Sequence, residues 1–321
     1  MATENGTPDT LLGAITYFND IDVATQFVAS LRWPSGVTCP HCEDKNVAFV
    51  ASRRIWQCKE CRKQFSVKVG SIFEDSPIPL SKWLPAMWML VNCRNGVSSY
   101  EIARDLGVTQ KTAWFMLHRL RLAIQAKSFD KINGDVEVDE TYIGGKSRNM
   151  HADKRKRVGM KRGKSMAGKV AVMALLDRHG KDGTSQVRTE ILAGRKKGSL
   201  QSKVRQHVEE GSNVYTDAFY SYRGLSNGYV HGFVDHAEKY VDGQVHTNSC
   251  ENFWSLLKRA LKGTYVSVEP FHLFRYLDEQ VYRFNNRKMS DGMRFLEACA
   301  SVFGKRLTYA ALTGKELPQT C

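Results

Sequence analysis

The pattern of apolar and polar residues changes its period along the chain, and this change separates a helical part from a part that contains strands. Between residues 81 and 124, apolar side chains recur every three or four positions, which predicts three helices. Ser81 is the expected N-cap of the first helix. The stretch from Ser98 to Glu101 predicts a capping box for the second helix, which ends at Gly107, and Thr109 is the expected N-cap of the third.

The second and third predicted helices are joined by a short turn, which is typical of a helix-turn-helix. In that motif the start of the second helix contacts DNA, so Gln110, Lys111 and Thr112 are the expected DNA-binding residues. A plain helical bundle that links two domains has the same pattern, and it remains open as the alternative.

Beyond residue 135 the chain alternates between short apolar runs and helical patterns. Two amphipathic helices are predicted near the end of this region, over residues 246–263 and over FHLFRYLDEQVYRFNN, and one is predicted earlier, over LQSKVRQHVEE. A short helix is expected after the fourth strand. Such alternation predicts an α/β domain with a mixed sheet. The predicted strands are VEVDETYIG, VAVMALLD, QVRTEIL, NVYTD and YVHGFV.

Charge changes the picture from a generic α/β protein to one with a polyanionic partner. The chain has 47 Lys and Arg against 33 Asp and Glu, a formal charge of +14, which favours nucleic acid over a membrane surface. Residues 146–169 contain ten of the Lys and Arg residues and one acidic residue, which accounts for +9 of the formal charge of +14. We predict a mobile loop there that clamps DNA through Lys154, Arg155, Lys156 and Arg157. A merely solvated loop is the alternative.

The compartment follows from apolar runs and from cysteine usage. No stretch approaches the about 18 consecutive apolar residues of a membrane helix, and the N-terminus lacks the basic and apolar regions of a secretory signal. Eight Cys in 321 residues do not make a disulfide scaffold. We therefore expect a cytoplasmic protein that associates with the nucleoid and has no membrane partner.

Four of the cysteines have the spacing of metal ligands. CPHC is followed, after fifteen residues, by CKEC, and two such pairs predict a tetrahedral zinc site made of Cys39, Cys42, Cys58 and Cys61. The stretches AFVASRRIWQ and FSVKV are each expected to be strands, so the predicted module is a zinc ribbon. Four unligated thiols are the alternative.

Three carboxylates could act together in the α/β domain. Asp139 and Asp217 end apolar strands, and Glu251 begins a basic helix. Three carboxylates ~5 Å apart repel one another by roughly 3 kcal/mol per pair at an effective dielectric of ~20. Such a cluster needs a cation, and oxygen ligands favour Mg²⁺ or Mn²⁺. Each Asp taken alone is equally typical of a cap or a turn.

Glu251 and Lys258 are seven residues apart, so they should lie on one face of the predicted helix, two turns apart. A solvated amphipathic helix with a surface ion pair would show the same spacing. That reading and a role in a site therefore both remain open from this stretch alone.

Four motifs together resemble one family. CPHC…CKECRKQFSVKVGSIFE, VEVDETYIGGK, VYTDAFYSY and HTNSCENFWSLLKR occur in the order found in bacterial insertion-sequence transposases of the DDE class with an N-terminal zinc ribbon, from about residue 18 to about residue 286. The resemblance implies an RNase H-like catalytic domain. It also implies Asp139, Asp217 and Glu251 as ligands of two metal ions, with Lys258 as a basic catalytic residue beside DNA phosphate. Asn248 is the alternative third ligand, and His246 is expected behind the ligands or against DNA.

The resemblance also implies a function and a domain plan. The expected reaction is cleavage at transposon ends followed by attack of the freed 3′-hydroxyl on target DNA, in a homodimer or a larger synaptic assembly on double-stranded DNA. A DNA-binding regulator with an inactive domain and a stand-alone nuclease are the alternatives. The expected regions are a helical lead (1–35), the zinc ribbon (36–75), the helix-turn-helix region (76–130), the catalytic domain (131–290) and a helical tail (291–321).

Overall fold

The computed structural model describes residues 8–125, 130–145, 153, 168–194, 197–217, 220–234 and 245–315. The predicted clamp residues Lys154, Arg155, Lys156 and Arg157 lie outside this range. The chain divides into two compact units. The helical unit runs up to residue 125 and resumes at residue 289, and the sheet unit covers residues 126–288.

The helices and strands of the described residues are numbered in chain order. The helices are α1 (Leu11–Phe18), α2 (Ile21–Arg32), α3 (Leu80–Asn92), α4 (Ser99–Leu106), α5 (Gln110–Ala123), α6 (Lys197–His207), α7 (Asn248–Gly263), α8 (Leu273–Asn285), α9 (Asp291–Ala300) and α10 (Tyr309–Thr313). The strands are β1 (Val47–Val50), β2 (Ile55–Cys58), β3 (Gln64–Phe65), β4 (Asp135–Ile143), β5 (Val170–Asp177), β6 (Gln186–Leu192), β7 (Asn213–Asp217) and β8 (Val230–Val234). No helix in these ranges is both long and apolar enough to cross a membrane.

The core of the helical unit forms around α3, whose apolar side chains are almost all buried. Helix α9, from the C-terminal part of the chain, packs against α2 and α3. Its Phe295 lies 5.1 Å from the Trp88 ring and 5.7 Å from the Phe18 ring, measured between centroids. The C-terminal helices therefore complete the core that the N-terminal helices begin.

Most helix boundaries in this unit follow the predicted capping signals. Ser98 and Glu101 form the capping box, Gly107 adopts a left-handed conformation with φ of 59°, and the Thr109 hydroxyl accepts from the Thr112 amide. The prediction that Ser81 caps α3 is wrong. The N-cap is Pro79 and the helix begins two residues earlier than predicted, because the Pro79 carbonyl, in extended backbone, accepts from the amides of the first turn.

The strands near the cysteines are shorter than predicted. AFVASRRIWQ is not one strand, because the chain reverses at Arg54, which has a φ of 54°, and β1 pairs antiparallel with β2. FSVKV contributes only Phe65 to β3, and a turn follows in which the Val69 amide donates to the Ser66 carbonyl. The result is a three-stranded antiparallel sheet in the order β1-β2-β3.

The sheet unit has one five-stranded mixed sheet, in the order β6-β5-β4-β7-β8. Strand β5 is antiparallel to both β4 and β6, whereas β7 runs parallel to β4 and to β8. All five strands match their predicted bounds to within a residue. Helix α6 starts and ends three residues before its prediction, and the short helix expected after Asp217 is a 3₁₀ turn at Tyr220–Tyr222.

Each face of this sheet is covered by helices. Val136 and Val138 of β4 face a core that includes Leu200 and Val204 of α6. Because side chains alternate along a strand, Glu137 and Asp139 project to the opposite face. There the core is built with α7 and α8, so the acidic positions of β4 point toward the helix that carries Glu251.

Candidate active site and metal-binding cluster

The four predicted zinc ligands lie together at the hairpin of the small sheet. All four sulfur atoms are within 4.8 Å of one another, with Cys39 and Cys61 3.7 Å apart and Cys42 and Cys58 3.5 Å apart. A tetrahedral ion with Zn–S bonds of about 2.3 Å needs sulfur atoms about 3.8 Å apart. The cluster is therefore compact enough to hold a structural zinc ion.

Asp139 lies in the middle of β4 rather than at a strand end as predicted, and both of its carboxylate oxygens accept a hydrogen bond. Oδ1 accepts from the Glu140 amide at 2.8 Å, and Oδ2 accepts from the indole Nε1 of Trp254 at 3.0 Å. Burial, together with the charges of Asp217 and Glu251, raises the pKa of Asp139 to about 6, although the two hydrogen bonds oppose the rise. The three acids named from the sequence therefore lie close enough to interact.

Strand pairing brings two of the acids to the same edge. Glu137 pairs with Tyr215, and two residues further along each strand lie Asp139 and Asp217. Helix α7 supplies Glu251 from its first turn. In the described residues the cysteines are the only group of three or more potential ligands drawn close together, so the three carboxylates interact without converging on one point.

A pocket of about 610 Å³, here called the acid pocket, opens between β4 and α7. It is lined by Asp139 and Glu140 from the strand and by Glu251, Trp254, Lys258 and Lys262 from the helix. The prediction that Glu251 and Lys258 share a helix face is confirmed. Carboxylates from both the strand and the helix, next to the lysines of the helix, can hold cations and phosphate side by side.

Asn248, the alternative third ligand, and His246, expected behind the ligands or against DNA, both lie shortly before Glu251. The described lining of the acid pocket contains neither Asn248 nor His246. Asn248 is exposed at the start of α7. His246 lies with its Nδ1 3.0 Å from a guanidinium nitrogen of Arg178, and its carbonyl accepts from the same nitrogen at 2.9 Å.

The buried acid Glu137 was missed by the sequence interpretation. It is fully buried two residues before Asp139, and its Oε1 accepts from Arg178 Nε at 2.8 Å. Its Oε2 accepts from the amides of Ser249 and Cys250 at 2.9 and 3.1 Å. A carboxylate that satisfies free amides at a helix start docks that helix, so Glu137 attaches the start of α7 to β4.

The residues expected to contact DNA lie at the start of α5. Gln110 donates from Nε2 to the Ser99 hydroxyl at 2.9 Å, and the ammonium of Lys111 lies 5.0 Å from the centre of the Tyr309 ring. Thr112 is half-buried and exchanges a hydrogen bond with Thr109. The three therefore form a surface patch that is organised by neighbouring side chains.

A mixed sheet with an acid-lined pocket, accompanied by a cysteine hairpin in a strongly basic chain, indicates a protein that acts on nucleic acid. Residues 131–285 match the ISXO2-like transposase domain, and residues 21–64 match the transposase zinc-ribbon domain. The chain belongs to this transposase family.

Two relatives agree with this assignment. A protein of the transposable element ISH50 from Halobacterium salinarum is 32% identical over 252 residues, which cover 74% of this chain and 82% of the relative. A transposase-like protein from Haemophilus influenzae is 28% identical over 113 residues, which cover 35% of this chain and 91% of that relative.

Proposed function

We propose that the chain is a DDE-class DNA transposase that binds transposon ends, cleaves a strand in a metal-dependent reaction and transfers the freed 3′-hydroxyl to target DNA. The observation that carries the proposal is the electrostatic coupling of Asp139 to Asp217 and Glu251 beside the lysines of the acid pocket. The mixed sheet with helices on both faces supports an RNase H-like catalytic domain.

The three carboxylates repel one another, and bound divalent cations would relieve that repulsion. Burial and mutual repulsion already raise the pKa of Asp139, and a cation would remove that repulsion. Asp139, Asp217 and Glu251 would hold two Mg²⁺ or Mn²⁺ ions, which when bound activate the attacking oxygen and stabilise the leaving oxygen. Trp254 keeps Asp139 oriented toward the pocket, and Lys258 and Lys262 hold the DNA phosphates beside it.

The helical unit would supply recognition of the DNA ends. One structural Zn²⁺ on the four cysteines would hold the ribbon, and α4 and α5 would act as a helix-turn-helix on double-stranded DNA through Gln110, Lys111 and Thr112. Transfer requires that two ends be held together, so we expect a homodimer or a larger synaptic assembly.

The purified chain can test this proposal on the terminal sequences of the element that encodes it. We expect a footprint at each end with or without Mg²⁺, and strand cleavage at the end only with Mg²⁺ or Mn²⁺. A footprint without cleavage in any metal would favour a regulator with an inactive domain. Cleavage of every duplex without end preference would favour a stand-alone nuclease.

Replacement of Lys258 by Ala should slow end cleavage about tenfold to a hundredfold, because one phosphate contact beside the reacting bond is lost. Lys258→Arg should recover part of the rate, since the charge is kept while the geometry changes. Extra Mg²⁺ should not rescue Lys258→Ala, whereas it should partly rescue Glu251→Gln. Cleavage rates over a metal titration provide the comparison, and full activity of Lys258→Ala would reduce this face of α7 to an ordinary solvated surface.

Replacement of Glu137 by Gln should lower the free energy of unfolding by about 3–5 kcal/mol, because the buried Arg178 loses the opposite charge of Glu137. It should also raise the Mg²⁺ concentration needed for half-maximal cleavage, because the start of α7, and with it Glu251, loses its anchor on β4. Urea unfolding and metal titration measure the two effects.

Glu279→Gln is the matched control for that variant. Glu279 is also a fully buried carboxylate paired with an arginine, Arg283, but both lie on α8. The control should lose stability without a shift in metal dependence. An equal shift in both variants would make Glu137 a general stabilising residue rather than a positioning one.

A further inference from the structure

A second pocket, of about 580 Å³, adjoins the acid pocket along α7 and shares Lys258 and Lys262 with it. We call it the side pocket. Its walls come from the end of β4, from the C-terminal half of α7 and from the segment that follows α7. The volume lies within the range of about 300–1,000 Å³ that is typical of sites for small organic groups.

The side pocket combines an apolar wall with a cationic rim. Ile143, Leu261 and Val268 line it with aliphatic side chains, and Lys169 joins the two shared lysines at its edge. Lysine side chains attract phosphate, whereas an aliphatic wall offers phosphate no hydrogen bonds or opposite charge. A nucleotide carries both kinds of surface, because an apolar base is attached to an anionic phosphate.

Val266 stands at the rim of the side pocket in an unusual backbone conformation. Its φ is +59°, and the Ser267 amide donates to the Tyr265 carbonyl at 2.6 Å, so the segment forms a γ-turn of the rare positive-φ kind. A β-branched residue is disfavoured in this region of backbone space. Packing does not account for the conformation, because the Val266 side chain remains 79% exposed.

The turn that carries Val266 is nevertheless anchored. The Tyr265 hydroxyl donates to the buried Glu279 of α8, and the Tyr265 ring lies 4.7 Å from that of Tyr276, measured between centroids. Strained residues held by a firm surrounding structure are concentrated at functional sites. The turn therefore presents the exposed Val266 side chain at the rim of the side pocket, where a bound ligand could contact it.

We propose that the side pocket takes up one unstacked nucleotide of the DNA strand next to the cleaved phosphate, and that Val266 enters the space which that base leaves. In a duplex the apolar faces of the bases are stacked inside, so an apolar pocket reaches a base only after unstacking. Apolar side chains inserted at a base step favour that state. The inference rests on the proposed function, because the acid pocket places the cleaved phosphate.

The test uses duplex ends with 2-aminopurine, whose fluorescence rises on unstacking, placed in turn at each position around the cleaved bond. The full chain is bound in Ca²⁺, so that the strand stays intact. We expect one position beside the cleaved bond to brighten with the unaltered chain. Val266→Gly should abolish this rise without loss of thermal stability, because glycine accepts a φ of +59°. Val230→Ala, at an exposed valine of β8, is the control and should keep it.

Cleavage rates in Mg²⁺ give the second readout. Val266→Gly should cut a fully paired end about tenfold more slowly and should regain the rate of the unaltered chain when that position is mismatched or abasic. If the unaltered chain cuts its ends in Mg²⁺ but no position brightens, the side-pocket proposal is overturned while the proposed function stands. Unchanged cleavage of the paired end by Val266→Gly also overturns it. A chain that cuts no end in any metal overturns the proposed function, and this inference with it.

Discussion

Replacement of Asp139 by Asn is expected to abolish strand cleavage at the DNA end while end binding stays unchanged. The amide keeps the size of the side chain but removes the charge that a divalent cation needs. Metal activation is worth several kcal/mol, so the rate should fall by about 10³-fold or more. Band-shift and cleavage assays on one labelled end measure the two properties. Asp177→Asn, an acid of the neighbouring strand β5, is the matched control and should cut normally.

The same variant should be more stable than the unaltered chain when no metal is present. The pKa of Asp139 lies near 6 instead of 3.8, so its charged form costs at most about 3 kcal/mol, and less because the group is partly solvated. Asp139 is charged in the folded chain above about pH 6, so the gain of the Asn variant should be full there. The gain in stability should vanish below about pH 4, where Asp139 is neutral in both the folded and the unfolded chain. Urea unfolding at pH 4 and pH 7.5 in a chelator checks this, and a destabilised Asn variant would contradict it.

Replacement of Cys58 by Ser should remove the zinc and unfold the three-stranded sheet, because metal binding and folding are coupled in small zinc modules. Cys58 ends β2, and its sulfur lies 3.5 Å from that of Cys42, so its replacement removes one of the four clustered thiols. Elemental analysis should give one zinc per unaltered chain and none in the variant. The fluorescence of Trp56, buried in the same sheet, should shift to the red.

Cys93→Ser is the control for this experiment. Cys93 follows α3 and is separate from the four clustered cysteines. The control should keep its zinc and its Trp56 emission. If Cys58→Ser retained one zinc per chain with an unshifted spectrum, the cysteine cluster would have no structural role.

The sequence predicted those elements whose signals are long or local. Strand β5 is an unbroken apolar run and was placed to the residue, and the capping box at Ser98 needs only four consecutive positions. The predicted strands of the zinc ribbon are longer than the observed ones. Four-residue strands give no clear periodicity, and the turn at Arg54 contains no glycine or proline that would mark it. Ser81 was misplaced because a proline carbonyl can open a helix without a side-chain cap.

The residues of the candidate site likewise differ in whether a local sequence signal reveals them. The cysteine cluster follows from spacing alone. Asp139, Asp217 and Glu251 were named from their apolar surroundings together with the family resemblance, and their role stays a prediction. Glu137 has the same local appearance as an ordinary strand residue, and its partners Arg178 and Cys250 are 41 and 113 positions away. Only the pairing of β4 with its neighbours and the docking of α7 bring these groups together.

Strand joining tests the central claim most directly. A labelled duplex end with a free 3′-hydroxyl is incubated with supercoiled target plasmid, the purified chain and either Mg²⁺ or a chelator, and the joined products are sequenced. The account predicts products in which that 3′-hydroxyl is bonded to target DNA, formed only with divalent metal and absent with Asp217→Asn. Joined products that form in chelator, or that form equally well with Asp217→Asn, would contradict it.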